Sequence, residues 1–396
     1  MSASARTLVV GKKGDFRSIG AAIEKAVAHD TIFISSGAYH ETSLEIKKPL
    51  YIYGEGYPRV IGNYKEEVFI INADSVTIRG LQIEKVNTSY LKDLAGISVV
   101  NCEACHIIDN RLLDTFFGVY LKKARACTVS GNFIQGSAKE EAKAGNAIHI
   151  WQGEQVLIES NEVSGHRDGI YFEFVDDSRI INNISSGNLR YGLHFMFSND
   201  DHYEGNTFKD NGSGVAVMFS RNIIMKNNSF LQNQGSASYG ILLKEISDGE
   251  MSGNRFYKNS IGIYAEGTNR LQIQNNDFVN NGWAMNIKGN CLDNVFTLNN
   301  FVANSLDLIT SSQSNTNEYT KNYWSQYKGY DLDRNGIGDV PYRPVKLFAY
   351  VINRVPASII MLRSLLVDLL NFAESVSPSL TPSSLLDEEP LMKPVS

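Results

Sequence analysis

A cysteine motif offers the first place for chemistry. The stretch Asn101 to Asn110 contains Cys-x-x-Cys-His, with Cys102, Cys105 and His106, and this spacing elsewhere attaches a c-type haem. Haem attachment needs both thiols and the imidazole to be accessible on one segment. The elements around the motif therefore decide whether it carries a cofactor.

An acidic loop near the C-terminus has the spacing of a calcium site. Gly336 stands at the sixth position of an EF-hand-like loop, where the turn is sharp, but the bidentate glutamate of position 12 is replaced by Tyr342. The spacing predicts bound Ca²⁺, and the alternative is a structured loop whose side chains cap their own backbone. The oxygen donors at positions 1, 3, 5 and 9 are Asp331, Asp333, Asn335 and Asp339.

The elements that position these residues form an internal repeat. Segments that begin small-apolar-x-apolar place an asparagine fourteen residues later, and the period is mostly 22 residues. Insertions lengthen it at Gly136 to Gly145 and at Gly235 to Ser238. Short apolar patches between Gly and Asn turns are typical of a parallel β-solenoid. The repeated asparagines are Asn110, Asn132, Asn161, Asn183, Asn206, Asn228, Asn254 and Asn276.

Alternation along each strand assigns side chains to the core or the surface. Cys105 lies two residues before the inward Ile107, so it points into the core beside Cys127 of the next turn, and His106 points outward. We interpret these cysteines as core residues. The alternatives are a disulfide or a soft-metal pair between Cys105 and Cys127, since adjacent turns are within disulfide range. A solenoid strand does not offer the accessible segment that haem attachment needs.

Two methionines occupy outward positions in the first strand of adjacent turns. Met196 and Met218 are equivalent in the repeat, and His194 lies two residues before Met196 on the same face. Thioethers and imidazoles suit Cu(I). The pattern predicts a copper site at these three residues, with His149 two turns earlier as a relay. The alternative is an apolar patch covered by a loop or a docked partner.

The chain divides into four regions. Residues 1–30 contain a strand and an amphipathic helix, Ile19 to Ala28, that caps the first turn. Residues 31–320 form the solenoid and residues 321–344 the acidic loop. The fold class is therefore all-β: a single-stranded right-handed parallel β-helix with an N-terminal capping helix and a C-terminal helical extension.

The last region, residues 345–396, is apolar and then rich in proline. A helix is predicted to begin at Pro356 and to continue to Ser375. It is too charged at its centre for a membrane span and more apolar than a solvated surface helix. We expect it either to dock on a partner or to fold back as a C-terminal cap. Pro378, Pro382 and Pro390 are expected to keep the tail extended.

Composition excludes some functions. The 396 residues are 43% hydrophobic and 20% charged with a net charge of −6, which gives no electrostatic footprint for nucleic acid. Four cysteines are too few for a disulfide scaffold at this length. The N-terminus has no apolar run of export-signal length, and we expect such a signal to have been removed.

The whole chain resembles the NosD family. Solenoid turns of this kind are shared with many carbohydrate-acting CASH-domain proteins, but the block NYWSQYKGYDLDRNGIGDVPYRP followed by RVPASIIMLRSLLVDLL is specific. The resemblance implies a non-enzymatic periplasmic protein that takes part in supplying copper to nitrous oxide reductase. It implies as partners the membrane and ATPase subunits of an ABC-type transporter, a copper chaperone lipoprotein and the reductase. Contact with the membrane would be through partner subunits only.

Two other function classes remain open from the sequence. A carbohydrate-active lyase, hydrolase or epimerase would need paired carboxylates, or a carboxylate with histidine and basic groups. A structural β-helix that displays a passive binding face would need none of these. Activity on uronate polymers would favour the first class. The residues available to an enzyme are Asp176, Asp177, Asp200, Asp201, His166, His202 and Arg167.

Overall fold

The computed structural model describes residues 5–86, 93–311, 316–362, 364–376 and 385–395. The chain forms two compact units, Met1–Thr207 and Phe208–Ser396. Both are built from turns of a right-handed parallel β-solenoid, so the predicted fold class is confirmed. The boundaries of the four predicted regions are not tested and stay predictions.

Each turn contributes three short strands that pair in parallel with the equivalent strands of the next turn. In the first strands, Ile97 pairs with Val119, which pairs with Ile148. All three side chains are fully buried. The alternation predicted from the sequence therefore holds, because an in-register parallel ladder places equivalent apolar residues above one another in one core.

The first unit contains one α-helix, Ile19–Lys25, and a 3-10 turn, Glu141–Lys143. Its first strands are Leu44–Ile46, Phe69–Ile71, Ala95–Val100, Phe117–Lys122, Asn146–Glu154, Asp168–Asp176 and Tyr191–Met196. Its second strands are Thr7–Val10, Thr31–Ile34, Tyr51–Gly54, Thr77–Arg79, His106–Ile108, Thr128–Ser130, Leu157–Glu159, Arg179–Ile181 and His202–Glu204. Its third strands are Ala38–Tyr39, Arg59–Ile61, Gln82–Val86, Arg111–Thr115, Phe133–Gln135, Glu162–Ser164 and Ile184–Ser186.

The second unit repeats the same three-strand turn. The division between the units falls within strand Thr207–Lys209. The first strands of the second unit are Ser213–Met218, Tyr239–Lys244, Ile261–Glu266, Trp283–Ile287 and Leu306–Thr310. The second strands are Arg221–Lys226, Ser247–Ser252, Asn269–Gln274, Val295–Thr297 and Glu318–Thr320, and the third strands are Ser229–Leu231, Arg255–Tyr257, Asp277–Val279, Asn300–Val302 and Tyr323–Trp324.

The repeated asparagines form a ladder at the corner that follows each second strand. The Oδ1 atom of Asn183 accepts the backbone N–H and the side-chain amide of Asn161, both at 2.9 Å. The amide of Asn183 in turn donates to Oδ1 of Asn206 at 3.0 Å. Since these corner amides are buried, the ladder satisfies groups that no strand pairing reaches. The ladder therefore explains why an asparagine recurs at this position of the repeat.

The N-terminal capping helix is confirmed, with a shorter span. It begins after the N-cap Ser18 and ends at Lys25 rather than Ala28, because Ala26 is already extended. The carboxylate of Glu41 accepts the first two helical N–H groups, at Ile19 and Gly20. These donors have no partner within a helix, so the carboxylate holds the helix on the first turns.

The C-terminal helical region differs from the prediction in where its helices begin. Instead of one helix from Pro356, the chain forms α-helices Leu347–Arg354 and Leu365–Val376, with a 3-10 segment Pro356–Met361 between them. Proline lacks an N–H group and disfavours helical geometry in the residue before it, so the first helix ends ahead of it. Pro378 and Pro382 lie outside the described residues.

The C-terminal segment caps the second unit. Phe348 and Ile352 of helix Leu347–Arg354 are buried, and this helix packs on the strand Leu306–Thr310. Further on, the buried carboxylate of Asp387 accepts the backbone N–H of Asn322 at 3.1 Å and the indole N–H of Trp324 at 2.9 Å. An aspartate therefore takes the place of the next asparagine at the end of the ladder.

Helix Leu365–Val376 keeps an apolar face in solvent. Leu365 is 74% exposed and Phe372 is 67% exposed. Of the two alternatives drawn from the sequence, the C-terminal cap describes helix Leu347–Arg354, and docking of a partner on the other helix stays a prediction. Within the described residues, no helix is long and apolar enough to cross a membrane.

Removal of one ladder side chain should be costly. In Asn183→Ala the backbone N–H and side-chain amide of Asn161 lose this acceptor in a buried site. We expect the free energy of unfolding to fall by about 3–5 kcal/mol, because each buried unsatisfied group costs about 1–3 kcal/mol. Urea unfolding followed by circular dichroism measures the change. The exposed Gln155→Ala is the control, and equal stability of the two variants would contradict the role of the ladder.

Candidate metal centre

Aromatic and imidazole rings of the first strands cover the outward face of these strands in the first unit. Tyr120, His149, Tyr171 and His194 occupy equivalent positions of successive turns, with ring centroids 4.7–5.0 Å apart. The exposed fraction of His194 is only 4%. The expectation that His194 lies on a solvent face is therefore wrong. In-register parallel strands bring equivalent rings to stacking distance, and each ring shields the next.

A buried carboxylate anchors the surroundings of His194. Asp168 opens the first strand of one turn, and Arg190 precedes the first strand of the next. The guanidinium donates from Nε to Oδ1 at 2.9 Å and from Nη2 to Oδ2 at 2.6 Å. A second guanidinium, that of Arg167, lies 3.5 Å from Oδ2. This bidentate geometry gives a strong, oriented ion pair.

The ion pair shifts the titration of the carboxyl. Burial alone would raise the pKa of Asp168, but the contacts with His194 and Arg190 outweigh it and lower the pKa from 3.8 to about 2. Asp168 is therefore an anion across the neutral range. The imidazole Nδ1 of His194 lies 3.3 Å from Nη2 of Arg190 and 3.9 Å from Oδ2 of Asp168. Both contacts are made by Nδ1 and fix the orientation of the ring. The other ring nitrogen, Nε2, takes part in neither contact.

Each of the two predicted histidines is held at Nδ1 by a neighbouring side chain. Within the described residues, the Nε2 atom of His194 is buried and has no hydrogen-bond partner. Burial lowers the pKa of His149 to about 3, so its imidazole is neutral at pH 7. The Asn146 amide lies 2.9 Å from Nδ1 of His149. A neutral ring held at one nitrogen by a neighbour is the usual arrangement of a histidine ligand.

The two predicted methionines lie in different units. Met196 belongs to the first unit, where the hydroxyl of Tyr171 lies 3.8 Å from its sulfur. Met218 ends the first strand Ser213–Met218 of the second unit and is also half-buried. The structure thus connects His149, Tyr171, His194 and Met196 by direct contacts. Across the described ranges, no group of three or more His, Cys, Asp or Glu is placed to hold a metal, so a soft site here depends on thioethers.

The cysteine motif is part of the core, as predicted. All four cysteines have free thiols and are buried. The backbone N–H of Cys105 donates to the sulfur of Cys127 at 3.4 Å. Burial raises the pKa of Cys102 to about 11, and the hydrogen bond to Cys127 together with burial raises the pKa of Cys105. The hydrogen bond with Cys105 instead lowers the pKa of Cys127. Burial keeps all four thiols inaccessible, and inaccessible thiols are poor ligands and poor nucleophiles.

The acidic loop caps its own backbone. The carboxylate of Asp331 accepts the N–H groups of Asn335 and Gly336 at 3.1 and 2.9 Å, and Asp339 accepts the N–H of Leu332 at 2.7 Å. The side-chain amide of Asn335 donates to Asp333 at 2.9 Å. These contacts match the alternative of a self-capping Asx-rich loop. A calcium ion bound by the same four side chains stays a prediction.

Carboxyl groups among the residues available to an enzyme lie close together, since Asp176, Asp177 and Asp200 add to the rise in the pKa of Asp201. Asp201 is buried, and burial raises its pKa well above the usual range. Burial also lowers the pKa of His166 to about 4. Sequence analysis missed Asp168 and Arg190, which form the ion pair beside His194. The sequence signal was an Arg-x-Gly segment at the start of the first strand in two adjacent turns, Arg167–Gly169 and Arg190–Gly192. The more regular apolar columns obscured this signal.

The buried thiols should be unreactive in the folded protein. We expect iodoacetamide at pH 8 to leave all four cysteines unmodified, because the thiols are buried and the pKa values of Cys102 and Cys105 are raised. Alkylation should reach all four after unfolding in urea. Mass spectrometry of the intact chain counts the adducts. Rapid alkylation of two or more native thiols would show that the motif is accessible.

The ion pair of Asp168 should make stability fall in acid. Its pKa is lowered from 3.8 to about 2, so its stabilisation is present above pH 4 and is lost as the pH falls toward 2. At pH 7 we expect Asp168→Asn to cost about 3 kcal/mol, since Arg190 would keep an uncompensated charge. Denaturant unfolding between pH 2 and 7 measures both effects. The exposed pair partner Asp248, changed to Asn, is the control, and an unchanged pH profile in Asp168→Asn would contradict the assignment.

Comparison with known proteins agrees with this architecture. The sequence profile of the family described as "Periplasmic copper-binding protein (NosD)" matches residues 23–144 and 138–329. A relative from Pseudomonas aeruginosa, named "Probable ABC transporter binding protein NosD", is 35% identical over 72 residues, which is 18% of this chain and 17% of that protein. One of the same name from Stutzerimonas stutzeri is 29% identical over 105 residues, 26% of this chain and 24% of that protein. The aligned regions thus span a quarter or less of these relatives.

Solved structures share the fold at low sequence identity. The catalytic domain of a GH87 α-1,3-glucanase in complex with tetrasaccharides has a TM-score of 0.65 at 10% identity, over 82% of this chain and 70% of that chain. The A-module of the Azotobacter vinelandii mannuronan C-5 epimerase AlgE6 has a TM-score of 0.58 at 14% identity, over 77% and 88%. These likenesses show the solenoid alone. Because the profile matches most of the chain, this protein belongs to the NosD family of periplasmic copper-binding proteins.

Proposed function

We propose that this protein handles Cu(I) in the periplasm for maturation of the copper centre of nitrous oxide reductase. The observation that carries the proposal is the pair of positioned imidazoles on one face beside a thioether. Within the described residues, Nε2 of His194 is buried without a hydrogen-bond partner, and Met196 follows His194 by two residues on the same strand. Copper is cargo here, and the residues of this chain receive and release it.

The donor set fits Cu(I) better than a harder ion. Thioether and imidazole are the soft and borderline ligands that Cu(I) prefers, whereas calcium and magnesium prefer carboxylates. The carboxylate of Asp168, which lies 3.9 Å from His194, is held by Arg190 in a bidentate pair. Met196 and His194 therefore supply the donors, with Met218 as the predicted third ligand and His149 as the predicted relay.

The partners follow from the family and from one exposed surface. The named relatives are probable ABC transporter binding proteins, and we propose that this chain works with the membrane and ATPase subunits of such a transporter. A copper chaperone lipoprotein would deliver the metal, and the reductase would receive it. Helix Leu365–Val376, with Leu365 and Phe372 exposed, is the proposed contact with the transporter.

We also propose that the protein is not an enzyme. General acid catalysis needs a carboxyl group that is protonated near neutral pH and reaches a substrate. Asp168 has its pKa lowered to about 2 and is held by Arg190. Asp201 has a raised pKa, but its Oδ1 accepts the N–H of Ser178 at the corner that precedes the second strands, and the residue is 1% exposed. Activity of the pure chain on uronate polymers would contradict this proposal.

Copper binding tests the proposal directly. The chain should bind Cu(I) in an anaerobic titration against a competing chelator. We expect Met196→Leu with Met218→Leu to weaken binding at least about tenfold, since leucine keeps the volume and removes both thioethers. His194→Ala should have a smaller effect, and His149→Ala a smaller one still. Circular dichroism verifies that each variant is folded.

The matched control uses methionines of the core. Met225→Leu with Met251→Leu makes the same chemical change at two residues that are buried in the second unit and should leave Cu(I) binding unaltered. Copper loading of the reductase in cells should fall with the first double variant only. If the variant with Met196→Leu and Met218→Leu binds Cu(I) and loads the reductase as the wild type does, the two methionines make only packing or partner contacts.

A further inference from the structure

One lengthened turn of the first unit builds a pocket that the copper proposal does not use. The asparagine spacing is 29 residues from Asn132 to Asn161, against 22 from Asn110 to Asn132. The additional residues fall in the inserted segment Gly136–Gly145, which contains the 3-10 turn Glu141–Lys143. With the end of strand Arg111–Thr115 this segment encloses a cavity of about 290 Å³. That volume is close to the lower end for small-molecule sites.

Within the described residues, two buried polar atoms without partners belong to side chains that line this cavity. They are the hydroxyl oxygen of Thr115 and Nε2 of His166. Thr115 is 6% exposed and His166 is 1% exposed. Buried polar groups are nearly always hydrogen-bonded in folded proteins. Two such atoms at one cavity indicate that a bound molecule completes their hydrogen bonding.

The imidazole is prepared as an acceptor. Burial lowers the pKa of His166 to about 4, and the ring is hydrogen-bonded to the backbone of Phe116. A neutral ring that donates from Nδ1 to a carbonyl carries its lone pair on Nε2. The group that meets Nε2 must therefore be a donor, while the hydroxyl of Thr115 either donates or accepts. A hydroxylated ligand satisfies both atoms.

The charges around the cavity favour a neutral ligand. Two carboxylates, Asp114 and Glu140, and two ammonium groups, Lys139 and Lys143, line it, so the formal charges cancel. Lys143 pairs with Glu140 at 2.8 Å, and Asp114 accepts from the Ser137 hydroxyl at 2.7 Å. The balanced charges of the lining therefore give no net attraction for an anion or a cation. A single imidazole is also too few donors for a metal ion.

We propose that this pocket binds a neutral saccharide of one or two rings. One sugar hydroxyl donates to Nε2 of His166 and another pairs with the Thr115 hydroxyl. The ring of Phe116, which also lines the cavity, packs on the apolar C–H face of the sugar. The inference goes beyond copper handling and is independent of it, since none of these residues belongs to the predicted copper site.

Saturation-transfer NMR on the whole wild-type chain tests the proposal without any variant. The probes are glucose, galactose, mannose, maltose and cellobiose, with glucuronate and inorganic phosphate as charged comparators. We expect saturation transfer to at least one neutral sugar. An excess of the same sugar should saturate the site. Binding of glucuronate or phosphate in preference to every neutral sugar would overturn the proposal, as would binding of none.

Two variants locate the site. Thr115→Val removes the unpartnered hydroxyl at constant shape, so its melting temperature should stay equal or rise while the dissociation constant of the bound sugar increases at least about threefold. His166→Gln should weaken the sugar further. Thr128→Val, on a second strand of the same unit, is the matched control. Unchanged sugar binding in both Thr115→Val and His166→Gln would overturn the proposal. So would a crystal structure of the sugar-soaked protein with only water at the two atoms. Copper binding should be normal in every case.

Discussion

The stacking of equivalent turns in register is the constraint on which the rest of this structure depends. Each turn places its residues directly over those of its neighbour within a unit, so every position becomes a column. A column of isoleucines gives a core, and a column of asparagines gives a continuous chain of amide hydrogen bonds such as that through Asn161 and Asn183. The same rule makes the fold tolerant of surface changes and intolerant of a single unsatisfied corner amide.

Stacking also determines the chemistry of the outward face. A column of aromatic and imidazole rings buries itself, which is why His194 is nearly inaccessible although its strand lies at the surface. Burial keeps the imidazole of His149 neutral. It also requires that the charged groups at the start of the same strands be paired, as Asp168 is with Arg190. The stacked repeat thus places imidazole and thioether donors beside the ion pair of Asp168 and Arg190.

The sequence predicts the repeating part of the molecule well and its exceptions poorly. Columns such as Cys105 and Cys127 are visible because the period and the alternation assign them without any long-range information. The burial of His194 depends on ring contacts between turns, which alternation alone does not report. The start of the first C-terminal helix at Leu347 and the use of Asp387 as the last member of the ladder depend on how the tail folds back. No local pattern encodes those contacts.

The charges beside His194 bear on how tightly copper is held. Arg190 lies within 3.3 Å of the imidazole, and Arg167 approaches the same carboxylate. Two guanidinium groups lie beside the carboxylate of Asp168, and Glu173 occupies the strand position paired with Met196, so a bound Cu(I) would meet charges of both signs. The guanidinium groups would oppose its binding and the carboxylates would favour it, each effect reduced by screening. On the proposed function this is consistent with transfer: a protein that passes its metal to a reductase needs ligands that select Cu(I) by softness and an electrostatic environment that allows release.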